Sequence, residues 1–86
     1  MKLKNGFMLK ELAGEYVVVS VDTRLNLNGM ITLNETAKTI WQSLEKGAEM
    51  QDIVKALTDE FEVDEAAALS AAESFVVKLK ELDFLD

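Results

Sequence analysis

Residues 15–21, EYVVVSV, are rich in β-branched side chains, and residues 6–12, GFMLKEL, precede them with a similar extended pattern. Both runs read as strands. Ala13–Gly14 separates them, and Gly14 can take the positive φ that a tight hairpin requires. DTRLNLN, residues 22–28, is polar, with two Asn and an Asp, and reads as a loop; GMITL, residues 29–33, reads as a third strand. The period then changes abruptly at Leu33–Asn34. Ala37, Ile40, Trp41 and Leu44 fall at i, i+3, i+4 and i+7, the apolar face of a helix that stops at Gly47. Asn34 stands where its side-chain oxygen can accept from the free amides of the first turn, and Glu35 complements the helix dipole.

A second helix is predicted from about Glu49 to Phe61, with Met50, Ile53, Val54, Leu57 and Phe61 on one face. FEVD, residues 61–64, is the turn into a third helix, which Asp64 caps and which continues to about Asp83. That helix carries two adjoining apolar stripes: Ala68, Ala72, Phe75, Leu79 and Leu82, and beside them Leu69, Ala72 and Val76 running toward Lys80. A helix crossing both a sheet and two helices needs a wide apolar face. Phe75, Leu79 and Leu82 are therefore expected in the core. Leu69 and Val76, at the margin, could equally face a partner.

The order β-β-β-α-α-α, with a helix–turn–helix in the middle, outlines a single α+β domain over residues 1–86: winged-helix-like, with a three-stranded antiparallel sheet followed by three helices. Because Leu33 feeds directly into a capped helix, the third strand is held beside the helical layer. If that strand lies at the sheet edge, its free amides and carbonyls form either a hazard or a docking rail for an added strand.

Composition narrows the function. The chain has 86 residues, 49% of them apolar, which fits a small globular domain. No apolar run approaches the ~20 residues of a membrane span, and MKLKNGF lacks the apolar stretch of a signal peptide. With no cysteine, a cytoplasmic location is the default expectation. Histidine and proline are also absent. That removes imidazole and thiolate ligands, a His base, and Cys or His nucleophiles. The carboxylates are scattered over helix faces, with no DxDxDG-like loop to hold a hard cation. The chain reads as a non-enzyme with no catalytic residue, metal or cofactor. Charge is uneven: net +1 over residues 1–33 and net −8 over residues 34–86, together the −7 of the whole. So acidic a helical half repels phosphate backbones and argues against nucleic acid; it suits a basic partner or serves solubility.

The ordered set Leu33, Asn34, Glu35, Ile40, Trp41, Leu44, Ile53, Val54, Leu57, Phe61, Val63 and Asp64 resembles the pattern of the PqqD-like family. That pattern is Leu-Asn-Glu, then Ile-Trp and Leu, a Gly, an IVxxL helix and an aromatic-x-Val-Asp turn. FMLKELAGEYVVVSV is similar to the family's opening hairpin, so the resemblance covers nearly the whole chain. It implies a small winged-helix-like module that recognises the leader of a ribosomally synthesised precursor peptide. Such modules present the leader to a modifying enzyme, in pyrroloquinoline quinone (PQQ) biosynthesis a radical SAM protein. In the family the leader adds as a strand against the third strand, beside the third helix. Carried over, the rail is Asn28, Gly29, Met30, Ile31, Thr32 and Leu33, and the wall is Leu69 and Val76 with their neighbours Glu73 and Lys80. One departure is that the second helix often opens on Thr or Ser in the family, whereas here Glu49 is the weaker cap.

Several matched residues have plainer roles. Trp41 reads as a core anchor, and Asn34 and Glu35 as a cap and a dipole-matching carboxylate. Asn26 and Asn28 are turn residues that could also touch an entering peptide. Lys78 and Lys80 are solvated cations that could pair with acidic leader residues. Two rival functions stand beside leader recognition. One is a winged-helix DNA-binding regulator, although its recognition helix would set Glu49, Asp52, Asp59 and Glu60 against a single Lys55. The other is a docking subunit that binds only the modifying enzyme.

Overall fold

The computed structural model describes residues 1–20 and 31–85. Strands β1 (Phe7–Leu12), β2 (Glu15–Ser20) and β3 (Ile31–Leu33) form one antiparallel sheet in the order β1-β2-β3. Helices α1 (Glu35–Glu45), α2 (Met50–Glu60) and α3 (Glu65–Glu81) follow. This is the α+β arrangement expected from the periodicity, with ends shifted by a residue or two. The predicted loop at 22–28 and the start of the third strand at Gly29 and Met30 lie outside the described residues.

The β1–β2 turn takes positive φ at both central residues, 52° at Ala13 and 82° at Gly14. This is the handedness that matches the twist of a two-residue hairpin. Gly14 adopts it freely. Ala13 does so against the clash of its Cβ, at a cost of about 1 kcal/mol. Leu9, Val18 and Ile31 share one face of the sheet with Phe7, Tyr16 and Leu33, and all of these pack on the core. Val17 is also buried but lies on the opposite face, between Lys10 and Thr32.

Each helix start is satisfied locally. The Asn34 side chain accepts from the Ala37 amide at 2.8 Å, and Asp64 accepts from Ala67 at 2.7 Å. At the start of α2 the Asp52 carboxylate accepts the Glu49 N–H at 3.0 Å. The acceptor three residues downstream thus makes up for the weak cap. Thr39, buried on α1, donates its hydroxyl to Glu60 at 2.9 Å and ties α1 to the end of α2.

Trp41 is 0% exposed and, with Ile40, Leu44, Ile53, Leu57 and Leu79, forms the centre of the core. Phe7 and Phe84 both meet its ring edge-on, with centroids 6.4 and 6.1 Å away. Phe84 belongs to a tail that periodicity did not reveal. After Leu82 the chain turns left-handed at Asp83 (φ 63°), so that the Phe84 amide reaches the Leu79 carbonyl at 2.9 Å and the Asp83 amide reaches Lys80 at 3.1 Å. This Schellman arrangement closes the helix and swings Phe84 into the core. Leu82, expected in the core, is instead 39% exposed, because Phe84 fills the place next to Leu79. The N-terminal segment straps across the tail. Leu3 bridges Leu85, the Lys4 amide donates to the Phe84 carbonyl at 2.9 Å, and Lys4 Nζ meets Asp83 at 2.7 Å.

Candidate functional site

Register fixes which backbone groups of β3 are free. Hydrogen-bonded and non-hydrogen-bonded pairs alternate along an antiparallel ladder. The two-residue turn makes Leu12↔Glu15 the first hydrogen-bonded pair. Counting along β2, Val17 and Val19 also bond to β1, which turns the backbones of Tyr16 and Val18 toward β3. Their partners there are Leu33 and Ile31. Those two residues bond back to β2, while Thr32, opposite Val17, carries its N–H and C=O on the outer edge. Among the described residues β3 pairs with β2 alone, so this edge is the sheet's boundary.

Directly after β3, Asn34 lines a groove between the start of α1 and one flank of α3. Asn34, Ala37 and Ile40 line one side, and Ala71, Ser74, Phe75 and Lys78 line the other, around ≈ 250 Å³ of open space. The α3 residues recur at i, i+3, i+4 and i+7, one helical flank. Ala71 and Ser74 are small and leave room across from the start of α1. Phe75 is half-buried and packs on the core while presenting its remaining surface to the groove. Lys78 puts a cation at the rim. On the sheet side, Lys38 Nζ stands 4.9 Å from the centre of the Tyr16 ring, next to the strand partner of Leu33.

The residues expected from the sequence divide into three groups. Ile31, Thr32 and Leu33 form β3, with Ile31 and Leu33 turned into the core and Thr32 exposed. Asn28, Gly29 and Met30 lie outside the described residues, as does Asn26. The expected wall separates from the rail. Val76, at 3% exposure, is a core residue rather than a marginal one. Leu69 lines a different groove, against α2, with Met50, Val54 and Thr58. Glu73 and Lys80 are exposed on the same flank of α3 as Leu69. The opposite flank carries Phe75, expected in the core and packed against it, and Lys78, expected in solvent; both also line the groove that begins at Asn34. The spacing Ala71, Ser74, Phe75, Lys78 was the available signal.

No group of His, Cys, Asp or Glu among the described residues is arranged to hold a metal ion. No helix there is long and apolar enough to cross a membrane. What the site offers is an unpaired strand edge, an apolar floor and a lysine.

A three-stranded antiparallel sheet with a free third edge, backed by three helices, defines a winged-helix-like α+β module. The chain matches the family model for coenzyme PQQ synthesis protein D (PqqD) over residues 15–85, and it belongs to that family. Two solved structures share the fold. TbiB1, in complex with the TbiA(beta) leader peptide, superposes with a TM-score of 0.79 at 23% identity, over 100% of this chain and 95% of that one. A lasso peptide synthetase B1 complexed with the leader peptide gives a TM-score of 0.75 at 25% identity, covering 96% and 93% of the two chains. No curated protein matches the chain.

Proposed function

We propose that this protein binds the leader of a ribosomally synthesised precursor peptide as a strand added to β3, and presents it to a modifying enzyme. It performs no chemistry of its own, and with neither His nor Cys it has no imidazole or thiol to activate a nucleophile. The observation that carries the reading is the free edge at Thr32, two residues before the groove that Asn34 forms with Ala37, Ile40, Phe75 and Lys78. An added strand gains backbone hydrogen bonds at such an edge, and pockets beside it select alternate side chains. Membership of the PqqD family supports the reading, as do two relatives of the same fold solved with leader peptides. The enzyme served is of the radical SAM or another peptide-modifying type, in PQQ synthesis or a related peptide pathway.

The test is calorimetric titration of a precursor leader peptide into the native chain and into Thr32→Pro. Among the described residues of β3 the outward amide is that of Thr32; proline removes it and leaves the bonds of Ile31 and Leu33 to β2 intact. Leader affinity should fall at least about tenfold, with the circular dichroism spectrum unchanged. A folded Thr32→Pro protein that binds the leader at full strength would refute strand addition here.

A further inference from the structure

Two grooves flank α3, and they differ in the charge they present. The larger, against α2, is lined by Lys55 and by Glu65 and so favours neither sign. The smaller, against the start of α1, has a single charged residue in its lining, Lys78. Its other walls are neutral: Ile40 and Phe75 are apolar, Ala37 and Ala71 small, Thr36 and Ser74 hydroxylic. Lys78 is exposed, and among the described residues no carboxylate pairs with it. It is a local cation on a chain of net charge −7. The field of such a chain repels acids as a whole, so an acidic group that binds here gains from Lys78 and not from the molecule at large. The open space, ≈ 250 Å³, admits single side chains and is too small for a helix.

We infer that the segment seated in this groove carries a carboxylate two residues from an apolar side chain, and that Lys78 selects the carboxylate. The inference rests on the leader reading and names the leader chemistry that this chain recognises. Thr32 and Asn34 are two residues apart, about 7 Å along an extended backbone. A leader strand bonded at Thr32 reaches the groove by continuing about two residues past that bond. Its alternate side chains point the same way and stand about 7 Å apart. Phe75 and Lys78 lie about 4.5 Å apart along the axis of α3, and the lysine stem carries the ammonium beyond that. An aliphatic or aromatic side chain thus packs on Ile40 and Phe75 while an Asp or Glu two residues away meets the cation. Lys80 does not line this groove and has no part in the selection.

The probe is a display library of random peptides of about ten residues, the length of a long strand. It is selected in parallel on the native chain, on Thr32→Pro and on Lys78→Glu, with circular dichroism confirming that each is folded. Peptides recovered on the native chain and lost on Thr32→Pro should carry Asp or Glu two residues from an apolar side chain. Lys78→Glu, at an exposed position, should recover Lys or Arg at that place instead. One recovered peptide, synthesised with its acid as Glu and as Gln, should bind the native chain about threefold more tightly in the Glu form. Lys78→Glu should prefer the Gln form, and both differences should shrink as salt rises. Thr32-dependent peptides with no acidic preference, or with the same preference on Lys78→Glu, would overturn the inference and leave strand addition at β3 standing. Acid enriched at no fixed distance from the apolar residue would overturn it as well. Recovery that is the same on Thr32→Pro would remove the leader reading, and this inference with it.

Discussion

The two flanks of α3 are made of similar alanines and aliphatic residues, yet they border different neighbours. Ala71, Ser74, Phe75 and Lys78 look toward the start of α1, while Glu65, Ala66 and Leu69 lie on the flank beside α2. One flank is narrow, nearly free of acid and faces Asn34, directly after β3. The other is wide and lies in the acidic half of the chain. Between them, Ala68 and Ala72 let the helix approach its neighbours closely, and Val76 and Leu79 fill the core. A helix that is apolar round most of its circumference does not announce which side is interior. Each side takes its role from what the fold brings alongside, and small residues at Ala71 and Ser74 count for as much as large ones.

The comparison breaks most severely if the stripe between the flanks is removed. Leu79→Ala, at a fully buried position, should cost about 2–5 kcal/mol, most of a small domain's stability, and abolish leader binding. Urea denaturation measures it. A paired test comes next. Ile31→Pro removes a ladder bond to Val18 and should destabilise by about 2–3 kcal/mol. Thr32→Pro should cost less than ~1 kcal/mol while leader binding falls. Equal losses of stability in the two variants would show that the register-based assignment of the edge is wrong.

Phe75→Ala sharpens the contrast. It should weaken leader binding by about tenfold, whereas Leu69→Glu, on the other flank, should leave leader binding unchanged. Isothermal titration of both variants with the leader peptide checks it. Asn34→Ala deletes the α1 cap and should cost about 1 kcal/mol by thermal denaturation. The smallest effect serves as a control far from either groove. Ala13→Asn installs the residue that a left-handed turn position tolerates better, and should add about 0.5–1 kcal/mol with leader affinity unaltered.

Much of this architecture was legible from spacing alone. The switch from strand to helix at Asn34, the caps at Asn34 and Asp64, and the apolar faces of α1 and α2 follow from local rules that tertiary packing did not override. The hairpin was visible in Gly14, but not in Ala13, whose left-handed backbone runs against its own preference. The sequence also could not show that Asp83 would turn left-handed and carry Phe84 inward, which displaces Leu82. Spacing at i, i+4 and i+7 defines a stripe on a helix but says nothing of the helix's rotation about its axis, and that rotation sets Leu69 in the groove against α2 and Phe75 in the groove against α1.

The strap formed by Leu3 and Lys4 over Leu85 and Phe84 has a consequence for the order of folding. Nearly the whole chain must be looped to make that bridge, whereas the β1–β2 hairpin closes over two residues. Loop entropy therefore favours the hairpin and the α2–α3 pair early and the strap last. In the native ensemble the strap is then the first element to open, by sub-global fluctuation, and its opening uncovers the ring of Phe84 beside Trp41 without dissolving the sheet. Amide exchange should record this as lower protection at Lys4 and Phe84 than at Val18 or Ile53. The fluorescence of Trp41, the only tryptophan, would report the opened state directly, ahead of global unfolding.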